Sequence, residues 1–107
     1  MVVGNENTMA RGEALEQGGP LNGLRVAVTG GTSGLGLALV HEFASAGASV
    51  AFVARDRTKI DKTLAEIPGT HGIAGDVSRK EDIYPIAMEV TGELGGLDVL
   101  MAPVPRV

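Results

Sequence analysis

The feature that constrains the fold most is a glycine-rich loop between a predicted strand and a predicted helix. The apolar run 24–29 is bounded by glycine on both sides, as is typical of a buried parallel strand. From residue 34 to residue 46 apolar side chains recur at helical spacing, and Gly47 follows as a stop signal. The loop that joins the two reads Thr29-Gly30-Gly31-Thr32-Ser33-Gly34-Leu35-Gly36. A strand that enters a helix in this way is typical of the first unit of a parallel sheet.

The alternation of strand and helix patterns continues along the chain. Three further strands are predicted, at 49–54, 72–77 and 97–101. Thr58 is the predicted cap of the second helix, and a capping-box pattern at 78–81 opens the third. Pro85 lies inside that helix, where a proline costs about 3 kcal/mol. Right-handed crossovers give strand order 3-2-1-4, so we predict an α/β fold: a Rossmann-type doubly wound parallel sheet truncated after its fourth strand.

This pattern divides the chain into three parts. Residues 1–22 are polar and glycine-rich without a sustained period, and they are predicted to be a flexible leader. Residues 23–101 are predicted to form a partial dinucleotide-binding domain. Residues 102–107 are predicted to be a divergent tail, in which Pro103 and Pro105 cut the fourth strand short.

Composition argues against several classes of protein. The net charge is −4 and no run of lysine or arginine exceeds two residues, so we predict no nucleic-acid partner and no membrane partner. The absence of cysteine excludes disulfides and thiolate metal sites, and no metal-ligand spacing occurs, so we predict no metal. The chain has neither a signal-peptide layout nor an apolar run of about 18 residues, and we predict a cytoplasmic protein.

The glycine loop is predicted to bind the pyrophosphate of a dinucleotide. Gly30 allows a tight turn, Gly34 lets the backbone approach the pyrophosphate, and Gly36 lets the helix pack close to the strand. The free N–H groups at the helix start, with their partial positive charge, favour an anion there. Thr32 and Ser33 can add hydroxyl donors. An ordinary glycine-rich turn is the alternative.

The end of the second strand indicates which dinucleotide is bound. A carboxylate there would hold the ribose diol of NAD, whereas an arginine nearby accommodates the extra phosphate of NADP. Ala54 ends the strand and Arg55 follows, and a guanidinium can bind a phosphate through two hydrogen bonds. We predict NADP because of Arg55, while Asp56 next to it keeps NAD as the less favoured cofactor. A solvated loop charge is the alternative interpretation of Arg55. The Ala54-Arg55 pair argues against a methyltransferase, which would want an acidic residue at this strand end.

Taken together, these features resemble the N-terminal part of a short-chain dehydrogenase/reductase of the classical type. The glycine loop matches that family's TGxxxGxG, Asp76-Val77 matches the pair that the family places at the adenine ring, and 95–100 resembles the start of its strand four. The resemblance covers about residues 20–101 and implies an NAD(P)-dependent oxidoreductase. The predicted cofactor-binding residues are Gly30, Thr32, Ser33, Gly34, Leu35, Gly36, Arg55, Asp76 and Val77.

The resemblance stops before the catalytic residues of that family. Strand four of the family continues into Asn-Asn-Ala-Gly, whereas residues 102–105 here read Ala-Pro-Val-Pro. The family also uses a serine and a Tyr-x-x-x-Lys pair, in which tyrosine is the general acid/base and lysine lowers its pKa. The only tyrosine here is Tyr84, and Met88 stands four residues later. We therefore predict no catalytic residue and no redox activity for these 107 residues alone.

Three interpretations of the function stay open. The chain is the cofactor-binding part of an oxidoreductase that transfers hydride between NADP(H) and an unknown carbonyl or alcohol substrate, a non-catalytic nucleotide-binding module, or a non-functional truncated product. A fragment, a frameshifted tail and an alternative isoform would each explain the sequence. The predicted partners are a nicotinamide dinucleotide and a small-molecule substrate of unknown identity, and a homo-oligomer is a further possibility for a full-length form.

The remaining polar residues carry no predicted site. His41 and His71 are isolated from any acidic cluster, and both are interpreted as structural. Lys59 and Lys62 lie on the second helix and are interpreted as solvated charges.

Overall fold

The computed structural model describes residues 19–103, in which four parallel strands alternate with three helices. The strands are β1 (Arg25–Thr29), β2 (Ser49–Ala54), β3 (His71–Ala74) and β4 (Val99–Met101). The helices are α1 (Gly34–Ser45), α2 (Arg57–Glu66) and α3 (Lys80–Leu94). The sheet order β3-β2-β1-β4 confirms the predicted order 3-2-1-4. Residues 1–18 of the predicted leader and 104–107 of the predicted tail lie outside the described residues.

The sheet is covered by helices on both faces because successive strand residues point to opposite sides. On one face α1 packs against β1 and β2 and α2 packs against β2 and β3, and on the other face α3 packs against β2 and β3. Right-handed crossovers require this division, since the connection to β4 runs in the opposite direction along the sheet. The larger cluster contains Val26, Val28, Val40, Val50, Phe52, Ile60, Ile67 and Val99. The smaller cluster contains Ala27, Ala51, Val53, Ile73, Ile86 and Val90.

The residues just before β1 form a turn that is joined to the end of α1. The backbone N–H of Leu21 donates to the carbonyl of Ala46 at 2.9 Å, and the N–H of Leu24 donates to Leu21 at 2.9 Å. The last residues of the predicted leader therefore contact the end of α1. The flexibility of the preceding residues stays a prediction.

The N-terminus of α2 is capped by Asp56, and the prediction that Thr58 caps it is wrong. Oδ1 of Asp56 accepts hydrogen bonds from the backbone N–H groups of Thr58 at 2.9 Å and of Lys59 at 3.4 Å. Aspartate and threonine are both favourable cap residues, so composition alone does not decide between them. Asp56 takes the role because its backbone is extended where the helix begins.

The capping box predicted at 78–81 does not form. Both the backbone N–H and the hydroxyl of Ser78 donate to Oδ1 of Asp76, at 2.9 and 2.6 Å, so the hydroxyl is bonded to the preceding turn. Arg79 is the N-cap residue and makes no side-chain cap bond. The helix then continues through Pro85 to Leu94. Because β3 ends at Ala74, Asp76 lies in this turn and not in the strand as predicted.

An ion pair between Arg25 and Asp98 ties the central strand to the edge strand β4. Oδ2 of Asp98 accepts from the backbone N–H and Nε of Arg25, and Oδ1 accepts from Nη2, each at 2.9 Å. Nη1 of Arg25 donates to the carbonyl of Gly95 at the end of α3, at 3.0 Å. Hydrogen bonds from Arg25 lower the pKa of Asp98 to about 2. The pair fixes the start of β4 beside the start of β1.

We expect Asp98→Asn to destabilise the fold in a pH-dependent way. The pKa of Asp98 is lower in the folded chain than the value of about 3.9 expected when unfolded. The ionised carboxylate therefore stabilises the fold above about pH 4, and this contribution is lost as the pH falls through about 2. Because about a third of each side chain is exposed, we expect a loss of about 1–2 kcal/mol at pH 7.

Urea unfolding followed by circular dichroism between about pH 2 and 7 measures this difference. Asp61→Asn is the control, since Asp61 forms a more exposed ion pair with Arg57 at 3.4 Å and its loss should cost little. A loss of stability in Asp98→Asn that does not shrink toward pH 2 would contradict the argument.

The face of the sheet that carries α3 is only partly covered in residues 19–103. Leu100 in β4 lies on this face, and 50 % of its surface is exposed. Ile83, Tyr84 and Met88 on α3 are also exposed. Within the described residues β4 pairs only with β1, so its other edge is open. Apolar surface beside an unpaired strand edge favours self-association.

We expect Leu100→Lys to reduce self-association of the chain without unfolding it, because the side chain is already half-exposed. The measurements are sedimentation velocity at several concentrations and binding of a hydrophobic dye. Leu35→Lys is the control, since Leu35 is 62 % exposed on α1, away from the open edge. Equal association of the parent and both variants would show that this surface does not drive it.

Candidate nucleotide-binding site

The loop between β1 and α1 leaves the sheet at the carboxyl end of the central strand. The backbone N–H of Gly30 donates to the carbonyl of Val53 at 2.7 Å, which holds the loop beside β2. Gly30 and Gly34 have φ values of +72° and +57°, a region that favours glycine. Helix α1 begins at Gly34, and its N-cap Ser33 makes no side-chain cap bond. The first N–H groups of a helix have no partner within it, so α1 presents donors at this edge.

Two other glycines bring α1 close to the loop. A Cβ at Gly36 would overlap the carbonyl oxygen of Gly30, so the close approach predicted for Gly36 is present. A Cβ at Gly31 would overlap the side chain of Phe52 in the core. Gly31 was not among the predicted site residues, and its role is to let the loop lie directly on the core.

A cleft of about 240 Å³ lies where the carboxyl ends of β1, β2 and β3 meet. It brings together the glycine loop, the residues that follow β2 and the residues that follow β3. In open parallel sheets, ligands bind in the crevice at this edge. Its lining comprises Gly30, Thr32, Ser33, Val53, Ala54, Arg55, Asp56, Lys59, Gly75, Asp76 and Val77.

Six of the nine predicted cofactor-binding residues line this cleft, and the other three lie at the start of α1. The six are Gly30, Thr32, Ser33, Arg55, Asp76 and Val77. Gly34 and Leu35 are exposed, whereas Gly36 is buried against the loop.

Both carboxylates of the cleft are already hydrogen-bonded within the protein. Asp56 uses Oδ1 to cap α2. Asp76 uses Oδ1 to accept from Ser78, and these hydrogen bonds lower the pKa of Asp76, with smaller contributions from the charges of Arg55 and Arg79. Both carboxylates therefore serve local structure, and Asp56 in particular has one oxygen occupied by the helix cap.

Arg55 and Lys59 are the two cations of the cleft lining, and both are exposed. Neither forms an ion pair with another residue in the described part of the chain. The interpretation of Lys59 as merely solvated missed its place in the lining. The spacing in the sequence could have predicted this place. Because Asp56 caps α2 only two residues after β2 ends, Lys59 lies in the first turn of the helix, close to the end of the strand.

The remaining polar candidates lie outside the cleft. Nε2 of His41 lies 2.8 Å from Oε2 of Glu66, and Nδ1 of His71 lies 3.0 Å from Oε1 of Glu93. Each histidine thus bonds a glutamate of a neighbouring helix. Tyr84 is 72 % exposed on α3.

Within 19–103 no group of three or more His, Cys, Asp or Glu side chains is placed to hold a metal ion. No helix in this part of the chain has the length and apolar character needed to cross a bilayer.

Residues 25–104 match the family model of the short chain dehydrogenases. The chain belongs to this family. It is 41 % identical over 87 residues to a short chain dehydrogenase of Pseudocercospora fijiensis. It is 38 % identical over 84 residues to a glucose 1-dehydrogenase of Gluconobacter oxydans, and 35 % identical over 80 residues to an L-fucose dehydrogenase of Mus musculus. These matches cover 78 %, 74 % and 75 % of this chain, but only 28 %, 32 % and 29 % of the relatives.

Solved structures show the same fold over the same region. A 3-ketoacyl-(acyl-carrier-protein) reductase from Brucella melitensis, complexed with NADH, matches with a TM-score of 0.71 and 30 % identity. That match covers 75 % of this chain and 33 % of the reductase. An apo SCOR enzyme from Clostridium thermocellum matches with a TM-score of 0.73 and 27 % identity, covering 78 % and 35 % of the two chains. The chain thus spans about a third of the length of these enzymes.

We expect Gly34→Val to abolish nucleotide binding by the short-chain dehydrogenase loop. Valine would place a branched side chain at the helix start where a pyrophosphate would lie, and φ at this position is +57°. Gly69→Val is a matched control, because Gly69 also has a positive φ, of +91°, and open space around its Cβ, but lies outside the cleft.

Titration with NADPH, with circular dichroism as the check on folding, measures the effect. Both variants should lose similar stability, of about 1–2 kcal/mol, and only Gly34→Val should lose binding. Unchanged affinity in a folded Gly34→Val chain would mean that this loop does not hold the phosphates.

Proposed function

We propose that this chain binds the adenosine and pyrophosphate part of NADP(H), and that it forms the cofactor-binding part of a short-chain oxidoreductase. The observation that carries the proposal is the cleft at the carboxyl ends of three adjacent strands. It collects the glycine loop, Arg55 and the Asp76-Val77 pair, which are far apart in sequence. Each of these three groups suits a different part of a dinucleotide.

The glycine loop suits the pyrophosphate. The first N–H groups of α1 are free of helical partners, and the partial positive charge at the helix start favours an anion. Thr32 and Ser33 line the cleft and add hydroxyl donors. Gly34 carries no side chain and has nothing within 4 Å of its Cβ position, which leaves room for phosphate oxygens.

The turn after β3 suits the adenine ring. Val77 is 44 % exposed at the cleft and offers apolar contact to a flat ring. Asp76 keeps one carboxylate oxygen free of Ser78 and can accept a hydrogen bond from the amino group of adenine. The cleft volume of about 240 Å³ is below the range of about 300–1,000 Å³ for complete ligand pockets, in keeping with half of a dinucleotide.

The residues after β2 favour NADP(H) over NAD(H). NAD needs an acidic group at the strand end for its ribose diol, but Ala54 occupies that position and Asp56 is engaged as the cap of α2. Arg55 is exposed at the cleft without an ion-pair partner in residues 19–103. Its planar guanidinium matches the geometry of a phosphate.

We extend the proposal to the activity of a protein that carries this segment. The reaction would be hydride transfer between NADP(H) and a carbonyl or alcohol substrate. The described residues would hold and orient the cofactor, which itself supplies the hydride. We assign no proton-transfer role to Tyr84, because it lies on α3 and not in the cleft lining.

We expect Arg55→Ala to lower the affinity for NADPH by about tenfold, the equivalent of about 1.4 kcal/mol, and to leave the affinity for NADH nearly unchanged. Ala54→Asp should shift the preference toward NADH by adding a carboxylate at the strand end. Arg57→Ala is the matched control, since Arg57 pairs with Asp61 and does not line the cleft.

Isothermal titration of the parent and the three variants with both cofactors tests the proposal. Equal affinities of the parent for NADPH and NADH would overturn the preference for NADP(H). Binding of neither cofactor by a folded parent chain would overturn the nucleotide-binding function itself.

A further inference from the structure

Lys59 occupies the same cleft as Arg55 and lies one helical turn beyond it. It stands in the first turn of α2, and its backbone N–H is held by Oδ1 of Asp56 at 3.4 Å. The cap that starts α2 immediately after β2 therefore also fixes where Lys59 emerges. Its side chain is exposed and contributes to the lining beside Arg55 and Ala54.

The charge of Lys59 has no protein partner in the described part of the chain. The nearby Arg57 is paired with Asp61 at 3.4 Å, whereas Lys59 appears in no ion pair or side-chain hydrogen bond among residues 19–103. Of the two carboxylates nearest in sequence, Asp61 is the partner of Arg57, and Asp56 points Oδ1 at the helix N–H groups. Two unpaired cations, Arg55 and Lys59, thus face one cleft.

The position of Lys59 brings no benefit to the helix. The N-terminal turn of a helix carries partial positive charge, so a cation there is disfavoured and an anion is favoured. Apart from the N-cap Asp56, the first turn of α2 contains no acidic residue, yet it contains both Arg57 and Lys59. An anion bound in the cleft would offset this concentration of positive charge.

We propose that Lys59 is a second determinant of cofactor choice, which binds together with Arg55 the phosphate on the adenosine ribose of NADP(H). This inference rests on the proposed function and deepens that function by assigning two cations to one doubly charged phosphate. Arg55 supplies a planar pair of donors, and Lys59 supplies a compact charge on a flexible stem. The residues on the other side of the cleft, Thr32 and Ser33, are uncharged and leave the recognition of this phosphate to the β2–α2 side.

The test compares two ligands that differ only by the phosphate in question. Adenosine 2′,5′-bisphosphate and adenosine 5′-monophosphate are titrated into the isotopically labelled 107-residue chain, and binding is followed by NMR chemical shifts. We expect Lys59→Ala to lower the affinity for the bisphosphate by about five- to tenfold and the affinity for the monophosphate by less than about twofold. Lys59→Arg should retain most of the affinity for the bisphosphate.

Lys62→Ala is the matched control. Lys62 is an exposed lysine on the same helix, three residues after Lys59, and it does not line the cleft. It should leave both affinities unchanged. The effect of Lys59→Ala should also shrink as the salt concentration rises from about 50 mM to about 500 mM, because the lost contact is between exposed charges.

The outcomes separate the inference from the function on which it rests. If Arg55→Ala lowers the affinity for the bisphosphate more than that for the monophosphate and Lys59→Ala does not, the proposed function stands and the role of Lys59 is overturned. An equal loss of affinity for both ligands in Lys59→Ala would also overturn the role of Lys59, since such a loss would indicate a structural effect on α2. If the folded parent binds neither ligand, the proposed function fails and the inference fails with it.

Discussion

The contact between the first turn of α1 and the loop before it governs both the fold and the site. A side chain at Gly36 would overlap the carbonyl of Gly30, and one at Gly31 would overlap Phe52. With glycine at both positions, α1 lies directly on the sheet layer, and Val40 joins Phe52 in the core. The same approach brings the start of the helix, with its unpaired N–H groups, to the carboxyl edge of β1.

The remaining parts of the cleft follow from strand order. Because β3, β2 and β1 are parallel neighbours, the residues after each of them emerge side by side at one edge of the sheet. The outer strand β4 is secured separately, at the opposite end, by the hydrogen bonds between Arg25 and Asp98. The cleft therefore depends on β1, β2 and β3, while β4 completes the sheet and leaves Leu100 half-exposed.

The fold was predictable from the sequence because its signals are distributed over many residues. Apolar runs, helical spacing and glycines in the first loop all agree on one strand order, so an error at one position changes little. Caps were not predictable in this way, since Asp56 competes with Thr58, and Ser78 bonds Asp76 instead of starting α3. Such choices depend on backbone angles at single residues. The place of Lys59 in the cleft was missed for the same reason, because it follows from the cap at Asp56.

The charges in the cleft show why the composition of the chain is a poor guide to its ligand. The net charge of −4 would argue against an anionic partner. Within the cleft, however, Asp56 and Asp76 are hydrogen-bonded by backbone and hydroxyl donors, whereas Arg55 and Lys59 lack ion-pair partners in residues 19–103. These hydrogen bonds occupy one oxygen of each carboxylate within the protein, whereas the two cations stay available to an anionic ligand. Over distances shorter than a Debye length of about 8 Å, this local balance outweighs the net charge of the whole chain.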